Sequence, residues 1–174
     1  MTPTLFKKIC LLGDFAVGKT SLVRRYVDNQ FSDQYLSTVG VKLSRKLIEL
    51  PMDSGQAIAV QLVLWDLEGK TDFSDSSNSY LRGANGAIIV GDLTRPETVA
   101  NIKNHVGAFL AVNPCSSIVV AYNKSDLLDE PRLRDELRFE GHERVVKARR
   151  TSAKNGENVQ SLFAALSKKL IERH

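Results

Sequence analysis

The chain has 174 residues, with 24 Lys+Arg against 20 Asp+Glu for a net charge of +4, and 43% of its residues are hydrophobic. That mixture fits one globular domain, residues 1–174, long enough to bury a core without disulfide or metal staples. It excludes a disulfide scaffold, since only Cys10 and Cys115 occur, and a membrane-spanning chain, since no apolar run approaches the roughly 18 residues required. A cytoplasmic location is the expectation.

In chain order, Leu5 to Leu12 is an apolar run closed by Gly13 and predicts a buried strand. Lys19 to Gln30 has helical spacing, with Leu22, Val23, Tyr26 and Val27 on one stripe. Val39 to Leu50 and Ile58 to Asp66 predict two strands joined by a hairpin through Pro51 to Gly55. Ala87 to Val90 and Ile118 to Tyr122 are short β-branched runs. Between them Glu97 to Leu110 predicts one helix, with Thr94 as its cap and Pro96 near its first turn. Val145 to Ala148 is a last weak strand, and Asn158 to Glu172 a closing amphipathic helix. Strands alternating with helices imply an α/β fold, a mostly parallel sheet covered on both faces. Ligands of such sheets sit beyond the carboxyl ends of the strands.

The chemistry-bearing motif falls at such an end. Gly13-Asp14-Phe15-Ala16-Val17-Gly18-Lys19-Thr20 fits G-x-x-x-x-G-K-[ST], with a predicted strand before it and a helix after it. Glycines let backbone N–H groups curl around an anion, and the helix N-terminus adds about half a positive charge. Lys19 is placed to reach the β- and γ-phosphates, and the Thr20 hydroxyl to hold Mg²⁺. Asn123-Lys124-Ser125-Asp126 follows a later strand. An Asp there accepts from both N1–H and the 2-amino group of guanine; adenine has no such donor pair and would leave the carboxylate unpaired. Thr151-Ser152-Ala153-Lys154 follows the last strand and can offer a backbone N–H to guanine O6.

With these residues in order, the sequence resembles the Ras superfamily of small GTPases, and the Rab family most closely. The resemblance runs through nearly the whole chain. It is carried by Gly13-Asp14 and Val17 to Leu22 (including Ser21), by Tyr35 to Val41, which resembles the first switch, by Trp65 to Gly69, which resembles the strand and turn opening the second switch, and by Tyr80 to Val90. It implies a single P-loop G domain: a mostly parallel six-stranded sheet with one antiparallel strand and helices on both faces. It implies GTP/GDP and Mg²⁺ as cofactors, with Gly13 to Ser21 as the phosphate loop and its flank. Thr20 and Thr38 would supply the metal hydroxyls, and Asp66 would hold the metal through water. The backbone N–H groups of Thr38 and Gly69 would touch the γ-phosphate. Phe31 would pack on the guanine ring, although an aromatic there also suits a core. Asn123, Lys124 and Asp126 would read and frame the base, and Ser152, Ala153 and Lys154 would complete its pocket. Lys19, Thr38, Gly69 and, at the usual Gln position, Lys70 would be catalytic.

Several positions depart from that pattern. Lys70 stands where most of the family has a Gln that orients the attacking water; an ammonium has three donors and no acceptor. It can screen γ-phosphate charge, a partial electrostatic substitute. Phe15 fills a slot commonly Gly or small, beside the γ-phosphate and in the path of an arginine finger. Glu68 replaces a small residue and must point away from the phosphates, pair (Lys70 being one candidate) or remain solvated. Lys42 stands where Rabs usually carry an acid, a reversal that bears on partner choice. The chain stops at His174 with no cysteine-bearing tail, so the expectation is either an unlipidated protein or a tail outside this chain.

Two functions follow. One is a guanine-nucleotide switch with slow GTP hydrolysis, read by effector or regulator proteins through its two switch segments. The other is a GTP-binding interaction module that hydrolyses none. A nucleic-acid partner, suggested by Lys147 to Arg150, is disfavoured by the acids interleaved upstream. A monomer is expected.

Overall fold

Alternating strand residues leave for opposite faces of the sheet, and that division organises the molecule. The computed structural model describes residues 4–69, 75–129, 139 and 142–172. In order they form β1 (Leu5–Gly13), α1 (Lys19–Asp28), β2 (Val41–Pro51), β3 (Ala57–Leu67), α2 (Asp75–Leu81) and β4 (Gly86–Asp92). Then come α3 (Pro96–Ala100), α4 (Ile102–Val112), β5 (Ser117–Asn123), β6 (Val145–Arg150) and α5 (Val159–Ile171). The six strands lie in the order β2-β3-β1-β4-β5-β6. Only β2 runs antiparallel, paired to β3 from Val41↔Leu67 to Pro51↔Ala57. The other four pairings are parallel. This is the expected architecture.

From β1, Ile9 and Leu11 join Leu22, Val23 and Tyr26 of α1 and Phe163 and Leu166 of α5 in one buried cluster. Cys10 and Leu12 join Ile102, Val106 and Phe109 of α4 and Leu81 of α2 in the other. Helices therefore cover both faces. Strands β4 and β5 are buried along their whole length, which is why both read as continuous apolar runs. Burial pushes the Cys10 thiol up to about 12, so it behaves as a small core hydrophobe.

The first cluster is pinned by a stack of Tyr26 on Phe163, with centroids 3.8 Å apart and planes 10° from parallel. Both rings are buried. Phe163→Ala is expected to destabilise the protein by about 3–5 kcal/mol, read by chemical denaturation, with Phe163→Leu well under half of that.

Two helical expectations are corrected. The stretch predicted as one helix over Glu97 to Leu110 is two, with Asn101 between them. Thr94 does not cap it; Arg95 holds the N-cap position. The reason is local. Asp92 Oδ1 accepts from the Thr94 N–H (2.9 Å) and hydroxyl (2.6 Å), a turn that uses Thr94 before any helix begins. Pro96 then opens α3, and the interruption falls where Asn101 reaches the phosphate loop. Helix α2 was not foreseen, and the observed ends of the other elements differ from expectation by at most two residues.

The registers bring the carboxyl ends of the central strands to one edge. Leu11 lies opposite Asp66, Gly13 opposite Val90, and Asp92 opposite Asn123. Strand β2 begins at that same edge, with Lys42 opposite Asp66. Everything described next stands along this line.

Candidate nucleotide site

Between β1 and α1 the loop from Gly13 to Gly18 winds tightly. Ala16 has φ 60°, and Gly18 φ 100° with ψ 25°, so left-handed residues occur twice in three positions. Such turns aim successive N–H groups into one concavity, an anion nest. A Cβ at residue 18 would lie 2.3 Å from Asn123 Nδ2, so only glycine lets Asn123 close on the loop. Lys19 opens α1 with its side chain buried, donating from Nζ to the carbonyls of Gly13 (2.9 Å) and Asp14 (2.8 Å). Burial lowers its ammonium to about 8, opposed by the nearby carboxylates of Asp66 and Asp14.

Three oxygen-bearing side chains from three different elements meet beside it. Thr20 Oγ1 donates to Asp66 Oδ2 at 2.5 Å and lies 2.8 Å from Thr38 Oγ1. Thr38 Oγ1 is 3.5 Å from the same Asp66 oxygen. Asp66 is only 1% exposed, and its Oδ1 has no hydrogen-bond partner among the described residues. Burial raises its carboxyl pKa; the Thr20 hydrogen bond and Lys19 pull it back. A buried carboxylate oxygen left unpaired beside two hydroxyls fits a hard divalent cation that takes only oxygen ligands.

Asn123 and Lys124 brace the loop from behind: Asn123 Nδ2 donates to Val17 O (3.0 Å) and Lys124 Nζ to Ala16 O (2.9 Å). Asn123 Oδ1 in turn accepts from Thr151 Oγ1 (3.2 Å) and the Ala153 N–H (3.3 Å). Ser152 Oγ donates to Asp126 Oδ1 at 2.6 Å. Arg25 holds the same turn from α1, donating to the carbonyls of Ala153 (2.8 Å) and Lys154 (2.5 Å).

All of this encloses one cavity of about 300 Å³. Phe15, Ala16, Lys19, Thr20, Thr38 and Gly69 line one part, and Phe31, Asn123, Lys124, Asp126, Ala153 and Lys154 another. A phosphate-type loop, a hydroxyl pair backed by a buried carboxylate and an NKxD segment thus meet at a single pocket. A sequence model of the Ras family matches residues 8–172. The chain belongs to the Ras family.

Among small GTPases it lies close to the Rab branch. It is 36% identical over 170 residues to the GTP-binding protein ypt5 of Schizosaccharomyces pombe, covering 96% of this chain and 79% of that protein. It is 32% identical over 174 residues to the Ras-related protein Rab-27B of Rattus norvegicus, covering 95% and 80%. The GTP-binding protein YPTM2 of Zea mays is 35% identical over 170 residues, with the same coverage.

Not every foreseen residue faces the cavity of this small GTPase. Ser21 does; Gly13, Asp14, Val17, Ser152 and Asp66 stand behind its lining. The Asp14 carboxylate turns away to α4, accepting from Asn101 Nδ2 (2.6 Å) and meeting His105 Nε2 at 2.7 Å. Phe31 does both things open to it, packing against the first core cluster and lining the cavity. Gly69 presses on the phosphate loop: a Cβ there would lie 2.6 Å from Phe15 Cα. Glu68 Oε2 faces the Gly40 N–H (3.3 Å), and the Glu68 N–H donates to Gly40 O (2.8 Å), joining the two switch segments. Lys70, and with it a Glu68–Lys70 pair, lies outside the described residues.

Sequence reasoning missed Asp92, Arg95, Asn101 and His105. Asp92 was findable, because it is an acid at the carboxyl end of a parallel strand, as Asp66 is at the end of β3. The other three are helix-entry and helix residues with no motif to mark them.

Proposed function

We propose that the chain is a guanine-nucleotide switch that binds Mg-GTP and Mg-GDP and hydrolyses GTP to GDP and phosphate slowly. The observation that carries the reading is that one cavity is lined by Lys19, Thr20, Thr38 and Asp126, with the buried Asp66 carboxylate hydrogen-bonded to Thr20 behind that lining. Lys19 and the N–H groups of the loop bind the phosphates. Thr20, Thr38 and Asp66 hold the magnesium ion, which when bound neutralises charge on the phosphate oxygens. Asp126 pairs with the guanine donors, while Phe31, Ala153 and Lys154 wall the base. The Thr38 and Gly69 N–H groups mark the γ-phosphate, so its loss releases both switch segments. Leu36 and Val39, 72% and 85% exposed, give the first switch an apolar surface for an effector or regulator protein. The protein acts as a monomer in the cytoplasm.

Slow hydrolysis follows from Lys70, which cannot accept a hydrogen bond from the attacking water, and from Phe15. The Phe15 ring sits half exposed, 5.5 Å from the Tyr35 ring and edge-on to it at 75°. This pair covers the side from which a partner's arginine would enter. The same contact favours a second reading, a GTP-binding module that hydrolyses none. A single-turnover assay with γ-labelled GTP separates the two: phosphate release above the protein-free rate supports the switch, and release equal to it supports the module. The Phe15→Gly, Lys70→Gln double variant is expected to release phosphate on the order of 10²–10³-fold faster. An unchanged rate would show that neither residue limits the reaction.

A further inference from the structure

Three successive carbonyls of the phosphate loop are gripped from outside by three different side chains. Val17 O is held by Asn123 and Ala16 O by Lys124. Phe15 O accepts from Arg95 Nη2 at 2.5 Å. In a trans peptide the C=O and the following N–H point in opposite directions. Each carbonyl held outward therefore turns one N–H inward: those of Gly18, Val17 and Ala16 respectively. Ala16 sits between two gripped carbonyls in a left-handed conformation that alanine rarely adopts.

Asn123 and Lys124 belong to the NKxD segment. Arg95 does not; it follows β4, at the entry to α3. Its guanidinium is tied by Nε to Asp92 Oδ2 (3.2 Å), and that same oxygen lies 2.7 Å from Lys124 Nζ. Asp92 is 1% exposed and its carboxyl is held below its ordinary range by Lys124 and Thr94 against the effect of burial. One buried carboxylate thus fixes two cations, each on its own carbonyl of the loop. The planar fork bonds the carboxylate through Nε and the carbonyl through Nη2, so two rigidly spaced donors set the distance between them.

We propose that Arg95 is a positioning residue for nucleotide phosphates, holding the Phe15–Ala16 peptide so that the Ala16 N–H faces the phosphate chain. The inference rests on the guanine-nucleotide reading above. Losing the Arg95 contact frees that peptide to turn over and lets Ala16 leave its left-handed conformation. A glycine at 16 adopts that conformation without strain and needs less restraint.

The test uses the whole chain loaded with fluorescent GTP or GDP analogues, with dissociation followed after excess unlabelled nucleotide is added, and the ³¹P spectrum of bound GDP. Arg95→Ala is expected to speed dissociation about 10-fold and to move the bound ³¹P resonances, with little change in far-UV circular dichroism. Adding Ala16→Gly to Arg95→Ala is expected to restore most of the slow dissociation, which a general loss of stability would not allow. Arg95→Gln, which keeps a donor on a shorter stem and no charge, is expected to fall between. Unchanged dissociation and unchanged ³¹P resonances in Arg95→Ala overturn the proposal. So does recovery in Arg95→Lys that equals wild type while Ala16→Gly recovers nothing, since charge alone would then suffice. Wild-type protein that binds neither GTP nor GDP instead overturns the underlying reading.

Discussion

Lys19→Met is expected to lower GTP affinity on the order of 10³-fold, because it deletes charge-assisted hydrogen bonds to phosphate that water cannot replace in a buried position. Isothermal titration with GTP and Mg²⁺ reads the loss. The same lysine gives the protein a pH signature. Its ammonium is lowered from the ordinary 10.5 to about 8 by burial. Between those values the unfolded chain holds a proton that the folded one has released, so stability contributed by this group rises with pH across the window. The rise amounts to about 3 kcal/mol over the whole window in protein stripped of nucleotide, and about 2 kcal/mol of it falls between pH 7.5 and 9.5. Cys10 and Tyr26, each pushed up to about 12 by burial, act in the opposite sense at the alkaline end. The Lys19 contribution is therefore read as the difference between wild type and Lys19→Met in urea denaturation at pH 7.5 and 9.5. Bound GDP is expected to remove that difference, since phosphate keeps the ammonium charged. A wild-type curve parallel to that of Lys19→Met would place the lysine in water.

Asp126→Ala is expected to weaken GDP and GTP alike by about 10²–10³-fold, the loss of two hydrogen bonds to one carboxylate. The base, not the phosphate, carries the effect, so the GTP-to-GDP affinity ratio should stay constant. Asp126→Asn is the sharper variant. An amide offers a donor where the carboxylate had only acceptors, so it should reject guanine yet accept xanthine, whose C2 carbonyl can receive that donor. Ser152 Oγ already fixes one Asp126 oxygen at 2.6 Å, and an amide oxygen can keep that bond. Competition between guanosine and xanthosine diphosphates measures the exchange, and a variant that still prefers guanine would rule out base reading by this residue.

Local pattern reached the sheet, its one antiparallel strand and the two-faced cover, because β4 and β5 are apolar throughout and α5 repeats its stripe cleanly. It reached the cavity because a phosphate loop and an NKxD segment are contiguous motifs whose chemistry is written in adjacent residues. It failed where the deciding contact is long-range. Thr94 looks like a helix cap until Asp92, two residues back, takes both its donors. One amphipathic stripe from Glu97 onward looks unbroken until Asp14, 87 positions away, draws on Asn101. Phe31 has two uses in the fold, and no local pattern separates a wall of the core from a wall of a pocket. Glu68 looks misplaced beside phosphates until Gly40 takes its carboxylate.

The hairpin of β2 and β3 bears on how the site comes into being during folding. Thr38 precedes that hairpin by a few residues and Asp66 lies within its final pairs, so closing a short loop at Pro51 to Ala57 brings the two near each other. That contact is local in sequence and inexpensive in chain entropy. Thr20 joins only when β1 inserts beside β3 in parallel, with Leu11 against Asp66 55 positions away. Two members of the oxygen cluster are thus assembled by neighbours and the third by a distant crossover. A mutation that weakens the hairpin should slow folding, while one in the phosphate loop should leave the folding rate alone and speed unfolding.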